Sequence, residues 1–492
     1  MKSPKAWSVL PIIITMAMAG CVSMAPKYRV PESPVPRAWP DGPAYKAASG
    51  EKSALPAADT AWQDFYVDAR LGKVLDLALR NNRDLRIAAL NTEKARAYYR
   101  IQRAELLPTV SVLGEVGRQK IPASASGGEE SKHLTQYTVG LGVSAWEVDF
   151  FGRVRSLKNR ALEQYLATEQ ARSSAQISLM AEVSNVYLAL AADRESLKLA
   201  QETLVSQETS YKLTRRRFEV GASSELDAHR SRIGVETARG DVARYTRMVA
   251  MDGNTLNFLV GSTVLPDLLP EALGRVTMLK DVSPGLPSDV LMRRPDILMA
   301  ENQLKAANAN IGAARAAFFP RITLTAGVGT ASEDLSGLFK AGSDTWAFAP
   351  QIVLPIFDMG ARRANLKVAT ADRDIALAQY EKAIQMAFRE VSDTLAARGT
   401  IEEQLSAQET LTKALAEIYR LATARYSAGI DGSLGVLDAQ RSLYAAQQGL
   451  ITLRQAKYSN LATLYKVLGG GQLEAGPGNA PQGPPSPAVT GQ

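Results

Sequence analysis

The sequence predicts an α+β membrane protein, in which a β-barrel built from several copies of the chain is continued by a barrel of very long α-helices. Three observations carry that prediction. Four segments of about ten residues alternate apolar with polar or small side chains, as strands of a membrane barrel do. Two helical stretches, residues 154–218 and 361–426, each run for some sixty residues, and a helix of ~60 residues spans ~90 Å, more than a compact domain needs. The same order of motifs occurs twice along the chain, so the architecture is an internal duplication.

The chain has 492 residues, 46% hydrophobic and 22% charged, a balance that suits an ordered protein. Its formal charge of +7 includes Lys2 and Lys5 in a segment expected to be removed. The remainder is too scattered for nucleic acid. The basic run Arg215, Arg216, Arg217 reads as cations at a helix C-terminus. Lys2 and Lys5, the apolar stretch 6–19 and Met18-Ala19-Gly20-Cys21 read as a lipoprotein signal, cleaved before a lipidated Cys21. An ordinary signal with an incidental cysteine is the alternative. No other cysteine exists, so no internal disulfide forms. More than one acyl chain makes a stable anchor, here in outer-membrane lipid.

The expected organisation is then: 1–20 signal peptide, 21–61 lipidated Pro-rich tether, 62–262 first repeat, 263–287 linker, 288–469 second repeat, and 470–492 a loose tail. Each repeat opens with an Ala-rich helical segment, 68–106 and 288–318, ended by proline. Two strands follow, then the long helix, a tip, and a return helix at 224–260 and 434–468. Pro108 pairs with Pro320 and Asp84 with Asp296, both 212 apart; Gly221 pairs with Gly429, 208 apart; Asp227 pairs with Asp438, 211 apart. By that count (211 − 208) the second tip carries three extra residues.

Tyr137, Val139, Leu141, Val143 and Ala145 form the apolar side of the second strand. Ile322, Leu324, Ala326 and Val328 do so in the third, Trp346, Phe348, Pro350 and Ile352 in the fourth, and Val110, Val112 and Val116 in the first. A soluble two-layer sheet is the alternative on alternation alone. In lipid, four strands would leave edges with unpaired amides at several kcal/mol each, so closure requires further copies of the chain.

The motifs resemble the outer membrane factors of tripartite efflux and secretion systems, the TolC-like proteins, in their NodT/OprM-type lipoprotein branch. The residues are Trp62 and Phe65; Ala78-Leu79-Arg80-Asn81-Asn82 with Asp84-Leu85; and Trp146-Glu147-Val148-Asp149-Phe150-Phe151-Gly152-Arg153. To them add Leu286-Pro287-Ser288 with Arg293-Arg294-Pro295-Asp296-Ile297, Phe318-Phe319-Pro320, Pro355-Ile356-Phe357-Asp358 with Gly360, and Leu437-Asp438-Ala439-Gln440-Arg441. Met359 departs from the second glycine common there. The resemblance implies a homotrimer with a shared 12-stranded outer-membrane barrel and a periplasmic tunnel about 100 Å long. Its implied partners are a periplasmic adaptor protein and an inner-membrane transporter, of the RND type. A type I protein secretion channel and a constitutively open porin are the alternatives. A third is an envelope linker that does not conduct, against which the polar strand faces argue.

Under the resemblance, Asp431, Asp438 and Tyr426 belong to a periplasmic gate, and Gly221, Gly429 and Asp227 to the tips where an adaptor docks. Each carboxylate has a plainer reading: a turn residue for Asp431, a helix N-terminal acid for Asp438, a structural cap with Ser224 for Asp227. Gly429, Gly432 and Gly435 are expected to give the second turn unusual backbone freedom. The two histidines, His133 and His229, have no metal-ligand spacing, and no Gly-rich Lys-Ser/Thr phosphate loop occurs. No enzyme is expected, no cofactor beyond the lipid on Cys21, and no nucleic-acid partner.

Overall fold

The computed structural model describes residues 23–46, 57–126, 130–277 and 290–470. Cys21, residues 278–287 of the linker and residues 471–492 of the tail lie outside these residues. The chain divides into two units, one made of residues 1–32, 90–169 and 299–381, the other of the remainder.

Among the described residues the seven long helices are α1 Ala69–Asn81, α2 Arg83–Ala104, α3 Arg153–Glu219, α4 Glu225–Val260, α5 Pro295–Ala316, α6 Ala361–Ser427 and α7 Ser433–Val467. Short helical turns lie at Trp62–Phe65 and Ala123–Ser126. The four strands are β1 Val110–Ile121, β2 Lys132–Glu147, β3 Arg321–Ser332 and β4 Asp344–Val353. α3 and α6 are 67 residues each, about 100 Å at 1.5 Å per residue. An 18-residue window of α3 is apolar enough to cross a membrane, yet 67% of it is buried in protein.

The expected helix 68–106 is two helices. Asn82 turns out of the helical conformation (ψ 132°), its side chain accepts from Leu85 N–H at 2.8 Å and donates to Leu259 O at 2.7 Å. An amide side chain that caps the next helix competes with continuing the first. The expected start at 288 lies outside the described residues; Val290 and Leu291 are helical, and after a break α5 begins at Pro295, whose fixed φ suits the first turn.

The larger unit holds the main apolar core. Leu71, Val74, Leu75 and Ala78 of α1 bury against Met180, Val183, Tyr187 and Leu188 of α3, with Leu256 of α4 and Tyr465 of α7. Phe65 stacks on Tyr465 at 4.0 Å. Arg294, 8% exposed, forms ion pairs with Asp296 and Glu390 and donates to Val467 O. A guanidinium so buried stands only because its donors are used. Part of the Pro-rich tether is seated here: Trp39 stacks on Phe388, and Lys46 meets Glu403 at 2.9 Å.

The smaller unit holds one antiparallel sheet in the order β1-β2-β3-β4. β1 and β4 are its edges. In register, Val112, Leu141, Val328 and Trp346 share one face, as do Val110, Val143, Ala326 and Phe348. Apart from Ala326 these side chains are large, and several stand more than half exposed, among them Val112 at 75% and Trp346 at 77%. An apolar sheet face open over two rows suits lipid. The other face carries Gly140, Gly142, Gly327, Gly329, Thr138, Thr323 and Gln351.

Alternation does not run unbroken through β2. A bulge lies between Val143 and Trp146, with Ala145 at φ +49° and its N–H on Thr325 Oγ1. One inserted residue reverses the parity beyond it. Trp146, opposite Leu324, therefore takes the apolar face that the sequence pattern assigns to Ala145, and Glu147 joins the polar face beside Arg321 at 2.7 Å. Met359 sits at φ +52° next to Gly360 at +86°, a left-handed pair where a second glycine would be unstrained.

In the same unit, residues 24–28 run antiparallel along α5. Met24 O accepts from Arg315, Pro26 O accepts from Asn308, Tyr28 OH donates to Glu301, and Ala25 covers Gly312.

Candidate functional site at the two hairpin tips

Both tips belong to the larger unit, and their turns are equal in length. α3 ends at Glu219 and α4 begins at Glu225; α6 ends at Ser427 and α7 begins at Ser433. Each leaves five residues, 220–224 and 428–432. Gly221 (φ +76°) and Gly429 (φ +72°) take the left-handed position after the helix. Ala222 N–H returns to Arg217 O at 2.7 Å and Ile430 N–H to Arg425 O at 3.0 Å, the helix-ending pattern that glycine permits.

The offset of 208 found at Gly221/Gly429 also relates Gly152 to Gly360 and Gly261 to Gly469, all with positive φ. It therefore holds along both hairpins, and the extra residues inferred from the Asp227/Asp438 pairing do not exist. Asp227 corresponds to Gly435, Ser224 to Gly432, and Ser223 to Asp431. Asp438 lies deeper in α7. Of the three glycines expected to bend the second turn, only Gly429 does so; Gly432 is extended at φ −77° and Gly435 is helical.

At the first tip, Ser224 caps α4: its Oγ accepts from Asp227 N–H at 3.1 Å and donates to Asp227 Oδ2 at 2.7 Å. The Ser224 hydroxyl, with the Ser433 hydroxyl and the Ser224 backbone, holds the Asp227 carboxyl below its usual range. At the second tip Gly432 caps α7 with no side chain. The Asp227 carboxylate reaches this helix start without capping it: Ser433 Oγ donates to Asp227 Oδ1 at 3.1 Å. One carboxylate thus serves both hairpins.

Asp431 is clasped within its own turn: Arg425 Nε and Nη2 donate to its two oxygens at 2.5 and 3.1 Å. The guanidinium holds the Asp431 carboxyl below its usual value. Asp438 pairs with Arg441 at 2.6 Å, one helical turn on. Tyr426 lies beneath the Arg217 guanidinium, 5.0 Å from the ring centre, a cation–π contact between the hairpins. Gln440 to Ser206, Tyr444 to Asp241 and Gln448 to Tyr245 continue that seam at 3.0–3.1 Å.

The sequence-predicted Asp227 and Tyr426 thus lie on the seam between hairpins, and Gly221 and Gly429 end the long helices. Asp431 and Asp438 are each held by an arginine. Arg217, Arg425, Arg441 and Ser433 were not foreseen. The i, i+3 spacing of Asp438 and Arg441 was a readable signal. The six-residue reach across a turn from Arg425 to Asp431 was not. Among the described residues no acidic, histidine or cysteine group could hold a metal ion.

A sheet with one lipid-facing side, joined to helices of about 100 Å, defines an outer-membrane channel protein that extends into the periplasm. The chain belongs to the outer membrane efflux protein family, whose model matches residues 74–262 and 286–470. The antibiotic efflux pump outer membrane protein ArpC of Pseudomonas putida is 50% identical over 467 residues, 95% of this chain and 96% of that one. The toluene efflux pump outer membrane protein TtgC, also of Pseudomonas putida, matches with the same identity and coverage. The crystal structure of the open state of the Neisseria gonorrhoeae MtrE outer membrane channel superposes with a TM-score of 0.82 at 39% identity, covering 92% of this chain and 99% of that one. The protein is an outer-membrane efflux duct and not an enzyme, a component of a multi-part pump.

Proposed function

We propose that three copies of this chain form one duct, closed at rest by its hairpin tips and opened when a periplasmic adaptor docks on them. The energy comes from an inner-membrane transporter of the RND type. Small molecules of the kind named for the relatives, antibiotics and toluene, are the expected cargo. Two unpaired edge strands, β1 and β4, support closure by neighbouring copies. Lipidation of Cys21 would anchor the chain beside the barrel.

The observation that carries the gate is the Arg425–Asp431 clasp. The corresponding positions of the first tip, Arg217 and Ser223, make no such pair; Arg217 lies over Tyr426 instead. A restraint present on one hairpin only leaves the other free to act as its frame. Exposed Val220, Leu226, Ile430 and Leu434 at the tips offer an apolar surface to an adaptor. The test is single-channel conductance in a planar bilayer. A small wild-type conductance that rises in Asp431→Ala supports the gate. A large conductance equal in both means an open pore.

A further inference from the structure

The lipid face of the sheet turns cationic beyond its apolar rows, and only on the first hairpin. Moving away from the helices, that face of β1 carries Val110, Val112, Gly114 and Val116, then Arg118 and Lys120. Opposite them on β2 stand Val143, Leu141, Val139, Tyr137, Thr135 and His133. Arg118, Lys120 and His133 are all exposed. Arg118 and Lys120 lie two residues apart on one strand, about 7 Å along it. Neither forms an ion pair among the described residues.

The acids within the four strands do not answer them. Glu115 belongs to the opposite face by alternation. Asp344 is on this face but three strands away, level with Gly114 through Thr330 and Val139. β3 stops at Ser332, level with Tyr137 and Val116, so the cations stand on a part of the first hairpin that outreaches its neighbour.

The helices leave the sheet from the other end, so this end meets the cell exterior. A cation on the lipid face costs ~2–4 kcal/mol at mid-membrane and ~0–1 near the interface. Just above the apolar rows it meets lipid headgroups rather than chains. We propose that Arg118 and Lys120, with His133 beside them, bind the phosphate of an outer-leaflet glycolipid of the lipid A type. Arg118 supplies a planar fork suited to two phosphate oxygens, and Lys120 a compact second charge. The apolar rows below take the acyl chains. A lipid so held would brace the projecting hairpin.

The test is native mass spectrometry of the full-length protein released from detergent, with bisphosphoryl lipid A, fully dephosphorylated lipid A, phosphatidylglycerol and inorganic phosphate as probes. Wild type should retain bisphosphoryl lipid A about fivefold better than Arg118→Gln/Lys120→Gln, a change of the size expected for charge-assisted contacts at an interface. Arg118→Lys should lose part of that margin. Dephosphorylated lipid A should bind wild type and variant alike, a comparison valid even if the double variant folds poorly, because the wild type alone must distinguish the two lipids. Equal retention of both lipid A forms by wild type overturns the proposal. So does retention of phosphatidylglycerol equal to lipid A, which would make the patch a general anion site, and so does an equally stable adduct with inorganic phosphate.

Discussion

The two hairpin tips share a backbone and differ in what holds it. Each has a five-residue turn, a left-handed glycine and a following helix at the same offset. The first is fastened through its helix cap, by Ser224 and Asp227. The second has glycine at both corresponding places, 432 and 435, and is fastened by an ion pair within the turn. Both are exposed, but the Ser224 hydroxyl caps a backbone N–H and carries no charge for a partner or salt to compete with. An exposed Arg–carboxylate pair is open to competition from a partner's charges and to screening by salt. The difference assigns the fixed role to the first tip and the switching role to the second.

The largest expected effect follows from cutting that ion pair. Arg425→Ala and Asp431→Ala should each raise conductance severalfold, and the double variant should add little, because both remove one contact. Arg217→Ala, the same position on the first tip, should change conductance far less. Equal effects of Arg217→Ala and Arg425→Ala would erase the distinction between tips.

A smaller effect comes from making the second tip resemble the first. Gly432→Ser with Gly435→Asp writes the cap of α4 onto α7. Such a cap is worth about 1 kcal/mol. Hydrogen exchange across 433–437 should slow about fivefold, the change in local opening that such a free energy gives. Conductance should fall or stay low. In the mirror experiment, Ser224→Ala should speed exchange across 225–229 by a similar factor. No change in either would mean that the seam between hairpins, and not the caps, sets local stability.

Much of this architecture could be read before the fold was known, and the parts that could not share a cause. The long helices 153–219 and 361–427 agree with their expected limits within a residue or so, because glycines and turn residues punctuate them locally. Strand positions were legible from period-two alternation. The bulge at Ala145 was not, since only the register against β3 reveals the shift of parity to Trp146. The repeated Leu-Asp-Ala at 226–228 and 437–439 misled the comparison of tips: its resemblance is of letters, whereas the positive-φ glycines mark true equivalence. The contact between Asp227 and Ser433 joins residues 206 apart, which no local pattern announces.

That contact gives the smallest and sharpest test of whether the tips act separately. Asp227 is held below the usual carboxylate range, first by the Ser224 hydroxyl and also by Ser433. A depressed carboxylate lends its stabilisation above the unfolded value near pH 4 and loses it as pH falls through the lower folded value. The link between hairpins should therefore be intact at neutral pH and fail only in strong acid, so mild acidification should not open the duct by this route. A double-mutant cycle of Asp227→Ala with Ser433→Ala at pH 7, read by hydrogen exchange across residues 433–437, should give a coupling of about 0.5–1 kcal/mol. The coupling should weaken as pH falls through the lowered folded value. A coupling of zero at pH 7 would remove Asp227 from the link between the tips and leave the first tip to frame the second only through the seam contacts, such as Arg217 over Tyr426.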